Sequence, residues 1–104
     1  MKYAFHPEAE AEFLAAIDYY EDCGPGLGYD FAVEVHSTIE NIISFPKAWT
    51  ILEDDIRRCQ IRRFPYGIIY SQDGEVIFIL AVMHLHRDPR VLERPRLAQV
   101  EPRY

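Results

Sequence analysis

The chain has 104 residues, 49% of them hydrophobic and 27% charged, and a formal net charge of −6. That balance fits one domain with one core and excludes a disordered chain, and the longest apolar run, Val76 to Met83, is too short for a membrane helix. The first residues lack the basic-then-apolar layout of a secretion signal, so a cytoplasmic location with no membrane partner is expected. Cys23 and Cys59 have no CxxC spacing and are expected as reduced thiols.

The net charge averages two unlike halves. Residues 1–55 set Lys2 and Lys47 against twelve acids, whereas residues 56–104 set nine arginines against five acids. Such segregation predicts a basic face that meets something anionic, nucleic acid or acidic protein; the ordinary alternative is neutralisation inside the molecule, sheet arginines against helix acids.

In chain order, Lys2 to His6 alternates polar and apolar and predicts a first strand. Pro7 opens a helix whose early acids, Glu8, Glu10 and Glu12, suit the positive end of its dipole. Ala9, Phe13, Ala16, Ile17 and Tyr20 carry its apolar stripe to the break at Gly24-Pro25. A second helix, marked by Phe31, Val35, Ile39 and Ile42, ends before Pro46, and the two make a helical hairpin. Trp49 to Leu52 predicts a short strand, followed by the acidic turn Glu53-Asp54-Asp55. From Ile56 the period becomes two, giving strands over 56–64, 66–72 and 75–87, with Asp73-Gly74 as the hairpin turn between the last two. Asp88 caps a last short helix with Pro89 in its first turn, ended by Pro95. The expected fold is α+β, an N-terminal helical hairpin on one face of an antiparallel meander, with a single domain over residues 1–95 and a tail over 96–104.

Within strand 56–64, alternation puts Arg58, Gln60 and Arg62 on one face and Arg57, Cys59, Ile61 and Arg63 on the other. The helices can cover only one face, so the side with Arg58, Gln60 and Arg62 is expected to be open, polar and positive. In a meander, strands 56–64 and 75–87 point the same way, which brings Arg62 and Arg63 within about 10 Å of His84, His86 and Arg87. That cluster suits phosphate: arginine binds its oxygens bidentately and histidine can move a proton. Arg62, Arg63, His84 and Arg87 are therefore candidate catalytic groups for metal-independent RNA cleavage, and Arg58, Gln60, Tyr66, Tyr70, His86 and Arg90 candidate contacts to phosphate or a partner. His84 and His86 share a face, but no third ligand stands near them, so neither metal nor cofactor is expected. Tyr19, Tyr20, Phe31, Trp49, Phe64 and Phe78 read as core.

The segments FHPEAEAEFLAAIDYYE, GLGYDFAVEV, ISFPKAW, IRRCQIRRFPYGIIY and ILAVMHLHRDPRVLERPR, in this order and spacing, resemble the RelE/ParE superfamily of bacterial type II toxin–antitoxin toxins, often labelled plasmid stabilization proteins. The resemblance runs from about Tyr3 to Pro95. It implies a compact α+β toxin encoded beside a small antitoxin that wraps and neutralises it. Members similar to ParE act on DNA gyrase, whereas members similar to RelE cut messenger RNA on the ribosome without metal. In the RNA-cutting branch, basic residues on the sheet hold phosphate with a histidine or tyrosine near the C-terminus. The matching positions are Arg62 or Arg63, His84 and Arg87. Two departures favour the ParE-like side: the net charge of −6, and Val91-Leu92 where the RNA-cutting branch places an aromatic between Arg90 and Glu93, a role open only to Tyr104 in the tail. A relative that only binds a partner protein is the third expectation.

Overall fold

The apolar run Val76 to Met83 becomes the strand around which the chain is organised. The structure, a computed structural model, describes residues 1–86. In it β1 (Lys2–Phe5) leads to α1 (Pro7–Cys23), α2 (Leu27–Ser44), β2 (Thr50–Glu53), β3 (Ile56–Gln60), β4 (Tyr66–Asp73) and β5 (Val76–His84). The strands form one sheet in the order β1-β5-β4-β3-β2. β2 to β5 pair antiparallel as a meander, and β1 pairs parallel with β5, from Lys2 opposite Val76 to Phe5 opposite Ile79. The architecture is the α+β arrangement expected.

Each helix starts where local chemistry dictates. His6 caps α1, its Nδ1 accepting the Glu8 N–H at 3.1 Å, with Pro7 in the first turn where no N–H is needed. The hairpin bend is held by Glu21, whose carboxylate accepts the N–H groups of Gly26 and Gly28 at 3.2 and 3.1 Å. Gly26, at φ 87°, supplies the left-handed conformation that starts α2. At Gly28 a Cβ would lie 2.7 Å from the Ile17 carbonyl oxygen, so the two helices touch backbone to backbone there. Phe13, Ala16, Phe31, Val35, Ile39 and Ile42 then close over Cys59, Ile61, Ile68, Tyr70, Ile77, Ile79 and Val82 as the main core.

Three expectations shift. The tight turn between β4 and β5 is Gly74-Glu75, one residue later than Asp73-Gly74: Asp73 pairs with Val76, and Gly74 takes φ 59°, the sign that the first central residue of a type II′ turn needs. β3 stops at Gln60. Ile61 N–H donates to the Tyr66 carbonyl at 2.9 Å and Tyr66 N–H to that of Phe64 at 2.8 Å, so residues 61–65 form a tight turn that includes Pro65 in place of a continued strand. The sheet face away from the helices is also not uniformly polar: Ile69, Leu80, Ala81 and Met83 are buried there, beside Leu52, Ile56 and Phe78. A central strand that is apolar on both faces requires this. The helix expected at Asp88 and the tail after Pro95 lie outside the described residues.

Two stability experiments follow from this packing. Gly28→Ala should cost about 1–3 kcal/mol, because the clash with the Ile17 carbonyl outweighs alanine's better helix propensity; a thermal melt should show a fall in Tm of at least about 4 °C. Burial pushes the Cys59 thiol from 9.0 up to about 11, and the Tyr70 hydroxyl from 10.0 up to about 12, the latter against the opposing pull of Arg57. Both protons are held more tightly in the folded state, so their contribution is complete below pH 9 and is lost as pH rises through about 11 and 12. Stability measured by denaturation across that range should decline less steeply in a Cys59→Ala, Tyr70→Phe double variant.

Candidate functional site: the basic end of the sheet and its cleft

The four arginines of residues 57–63 separate by what the fold asks of each. Arg57 faces the helix side and donates through Nη1 to the carbonyls of Trp49 at 2.8 Å and Lys47 at 3.1 Å. With the Tyr70 hydroxyl, which donates to the Pro46 carbonyl at 2.6 Å, it ties the loop after α2 to the sheet. Arg63, at φ 74° in the turn, reaches back to α2: Nη2 lies 3.6 Å from Asp30 Oδ2 and Nη1 3.6 Å from Glu34 Oε2, with the guanidinium carbon 5.7 Å from the Phe64 ring centre. That is the internal neutralisation weighed above.

Arg58 and Arg62 are different. Neither makes an ion pair among the described residues; Arg62 is exposed, and Arg58 is half-buried, its stem against Gly67 on the face away from the helices. Gln60, on the same face, is exposed. Arg58 and Gln60 share a face as alternation predicts, and Arg62 follows them in the turn where β3 has already ended.

His84 ends β5 opposite Tyr66, the two rings 5.4 Å apart edge to face. The 61–65 turn and His84 thus lie at one end of the sheet, tied by the Leu85 N–H donating to the Pro65 carbonyl at 2.8 Å. His84 Nδ1 accepts the His86 N–H at 3.2 Å, so in the neutral ring the proton sits on Nε2. The His86 ring packs on His84 at 5.0 Å and is exposed. Arg87 and Arg90 lie outside the described residues. No group of three potential metal ligands occurs among the described residues.

Beside His84 opens a cleft of about 290 Å³ lined by Glu12, Ala15, Ala16, Tyr19, Tyr66 and Val82. It exists because β1 stops at Phe5 while β5 runs on; past the last β1 contact, His6 N–H to the Ile79 carbonyl, Glu12 Oε1 accepts the Val82 N–H at 3.1 Å. Two tyrosines exchange roles relative to expectation. Tyr70 was a candidate contact but is 1% exposed and takes part in the core, since it shares parity with Ile68 on the helix face. Tyr19 was expected in the core but is 61% exposed and lines the cleft. Glu12, Ala15, Ala16 and Tyr19 fall at i, i+3, i+4 and i+7, a helical stripe that could have pointed to this wall.

The family model described as ParE toxin of type II toxin-antitoxin system, parDE, matches residues 3–89. The chain belongs to the ParE toxin family. Toxin ParE2 of Mycobacterium tuberculosis, in strains CDC 1551 / Oshkosh and ATCC 25618 / H37Rv, is 29% identical over 89 residues, covering 85% of this chain and 85% of its own. The chromosomal ParDE TA system from P. aeruginosa contains a chain that matches with a TM-score of 0.71 at 19% identity, covering 83% of this chain and 97% of that one, a likeness of fold. Among the described residues, no helix of this ParE-family toxin is long and apolar enough to cross a membrane.

The left-handed backbone at Arg63 separates conformational from electrostatic roles. Arg63→Gly should melt higher than Arg63→Ala by about 1 kcal/mol equivalent, since only glycine relaxes a φ of 74°. Loss of the two half-exposed ion pairs should cost under about 1 kcal/mol in either variant, measured by denaturant titration at low and high salt.

Proposed function

We propose that this toxin inhibits growth by binding DNA gyrase, and that a cognate antitoxin neutralises it by covering Arg58 and Arg62. The observation that carries this reading is the division among the arginines. Arg58 and Arg62 stand without ion pairs among the described residues, available to a protein surface, while Arg63, one of the two arginines matched to phosphate chemistry beside His84, is held 3.6 Å from two carboxylates of α2. The net charge of −6 also opposes docking on RNA. Similarity to the P. aeruginosa ParDE system supports an antitoxin as partner.

One observation favours a second reading, the RelE-like ribosome-dependent nuclease: His84 carries its neutral-state proton on Nε2 and borders a cleft with Glu12, Tyr19 and Tyr66, groups able to move protons.

Induced expression of the chain alone should slow bacterial growth. Purified toxin should block gyrase supercoiling and leave message intact in a translating extract. An Arg58→Ala, Arg62→Ala double variant should lose roughly tenfold or more in potency with Tm little changed, as for contact residues at an interface rim. Message cleavage that disappears in His84→Ala, with gyrase unaffected, would replace the binding reading by the nuclease.

A further inference from the structure

We infer that the outward face of the α1–α2 hairpin is a second docking surface, shaped for a helix that carries apolar side chains flanked by lysine or arginine. The inference rests on the toxin–antitoxin reading above, in which that helix belongs to the antitoxin.

The surface begins with apolar side chains that the fold leaves in solvent. Leu14 is 54% exposed, Tyr29 73% and Val33 44%. The helix contact at Gly28 with Ile17 and Glu21, and the Phe13–His36 ring contact at 6.0 Å, set the register of the hairpin. In that register Leu14 stands on the α2-facing shoulder of α1, opposite the stretch of α2 that holds Tyr29 and Val33. By helical spacing neither Tyr29 nor Val33 lies on the core side of α2, which is occupied by Phe31, Val35, Thr38, Ile39 and Ile42. The three side chains therefore form one patch along the outer seam, which a partner helix can enter with its own apolar stripe.

Charge then selects the occupant. From residue 3 to residue 46 the chain has no lysine or arginine, although it has nine acids. Glu21 is engaged in the hairpin bend, and Asp30 and Glu34 meet Arg63. Glu10, Asp18 and Glu40 remain exposed around the apolar seam with no ion pair among the described residues. A second copy packed through the same face would set these carboxylates against their own counterparts, which disfavours self-association there. A basic amphipathic helix meets both requirements, apolar contact at the centre and opposite charge at the rim. The antitoxin would then be charged in the reverse sense to the toxin: a basic helix on the hairpin and an acidic stretch on Arg58 and Arg62.

The test titrates the toxin with the antitoxin encoded beside it. A Leu14→Ala, Tyr29→Ala variant should bind at least about tenfold more weakly with an unchanged melting curve, because only exposed apolar contact is removed. Asp18→Lys with Glu40→Lys should weaken binding comparably, whereas Asp73→Lys, at the far end of β4, should not. Affinity equal to wild type in both hairpin variants would overturn the surface and leave the toxin–antitoxin reading intact. No complex with the wild-type chain would overturn both. A wild-type chain that elutes as a dimer, dissociated by the Leu14 and Tyr29 changes, would make a second copy the occupant and refute the basic helix.

Discussion

Every functional feature of this toxin hangs on β5 having partners on both sides and apolar packing on both faces. Its backbone meets β1 on one side and β4 on the other, and its side chains fill the helix-side core and the smaller cluster of Ile69, Leu80, Ala81 and Met83. An unpaired strand interior would leave buried N–H and C=O groups at a cost of about 1–3 kcal/mol each, so pairing is a condition of burying so apolar a segment. Where β1 runs out, the Glu12 carboxylate takes over the Val82 N–H, and the cleft beside His84 is the gap left between a short strand and a long one.

The charge distribution follows from that architecture. Helices that cover one face of the sheet leave most of their acids at the surface, and among the described arginines Arg63, bent back by its left-handed backbone, pairs with two of them. Ion pairs this exposed contribute about 0–1 kcal/mol, so their effect is chiefly to direct one cation away from the sheet end. Arg57 is fixed by two backbone carbonyls. Among the described arginines, Arg58 and Arg62 remain for a partner. The molecule thus offers a cationic patch on the sheet and an anionic, partly apolar seam on the helices.

Much of this was legible in the residues. Helical spacing and the Gly24-Pro25 break marked both helices, and alternation assigned Cys59 and Ile61 to the helix face even though β3 ends between them. What alternation could not register was the end of β3, because a positive φ at Arg63 leaves no trace in residue type. Arginine is not a residue that favours it. The parallel pairing of β1 was equally hidden, since short strands carry no mark of orientation. The open polar face was inferred from β3 alone, and the run from Val76 to Met83, already visible as apolar throughout, implied that the opposite face would be buried too. Tyr70 could have been placed by its parity with Ile68, and Tyr19 by its spacing from Glu12. Arg87 and Arg90 lie outside the described residues.

The pairing of β1 with β5 bears on synthesis. Residue 2 meets residue 76, so the opening strand finds its neighbour only after nearly all of the described chain has left the ribosome. Until then the helical hairpin can form but has no complete sheet to rest on, and neither the cleft nor the arginine patch exists. A ParE-family toxin built in this way stays unassembled while it is being translated, and its surfaces arise together, within reach of whatever is at hand to bind them.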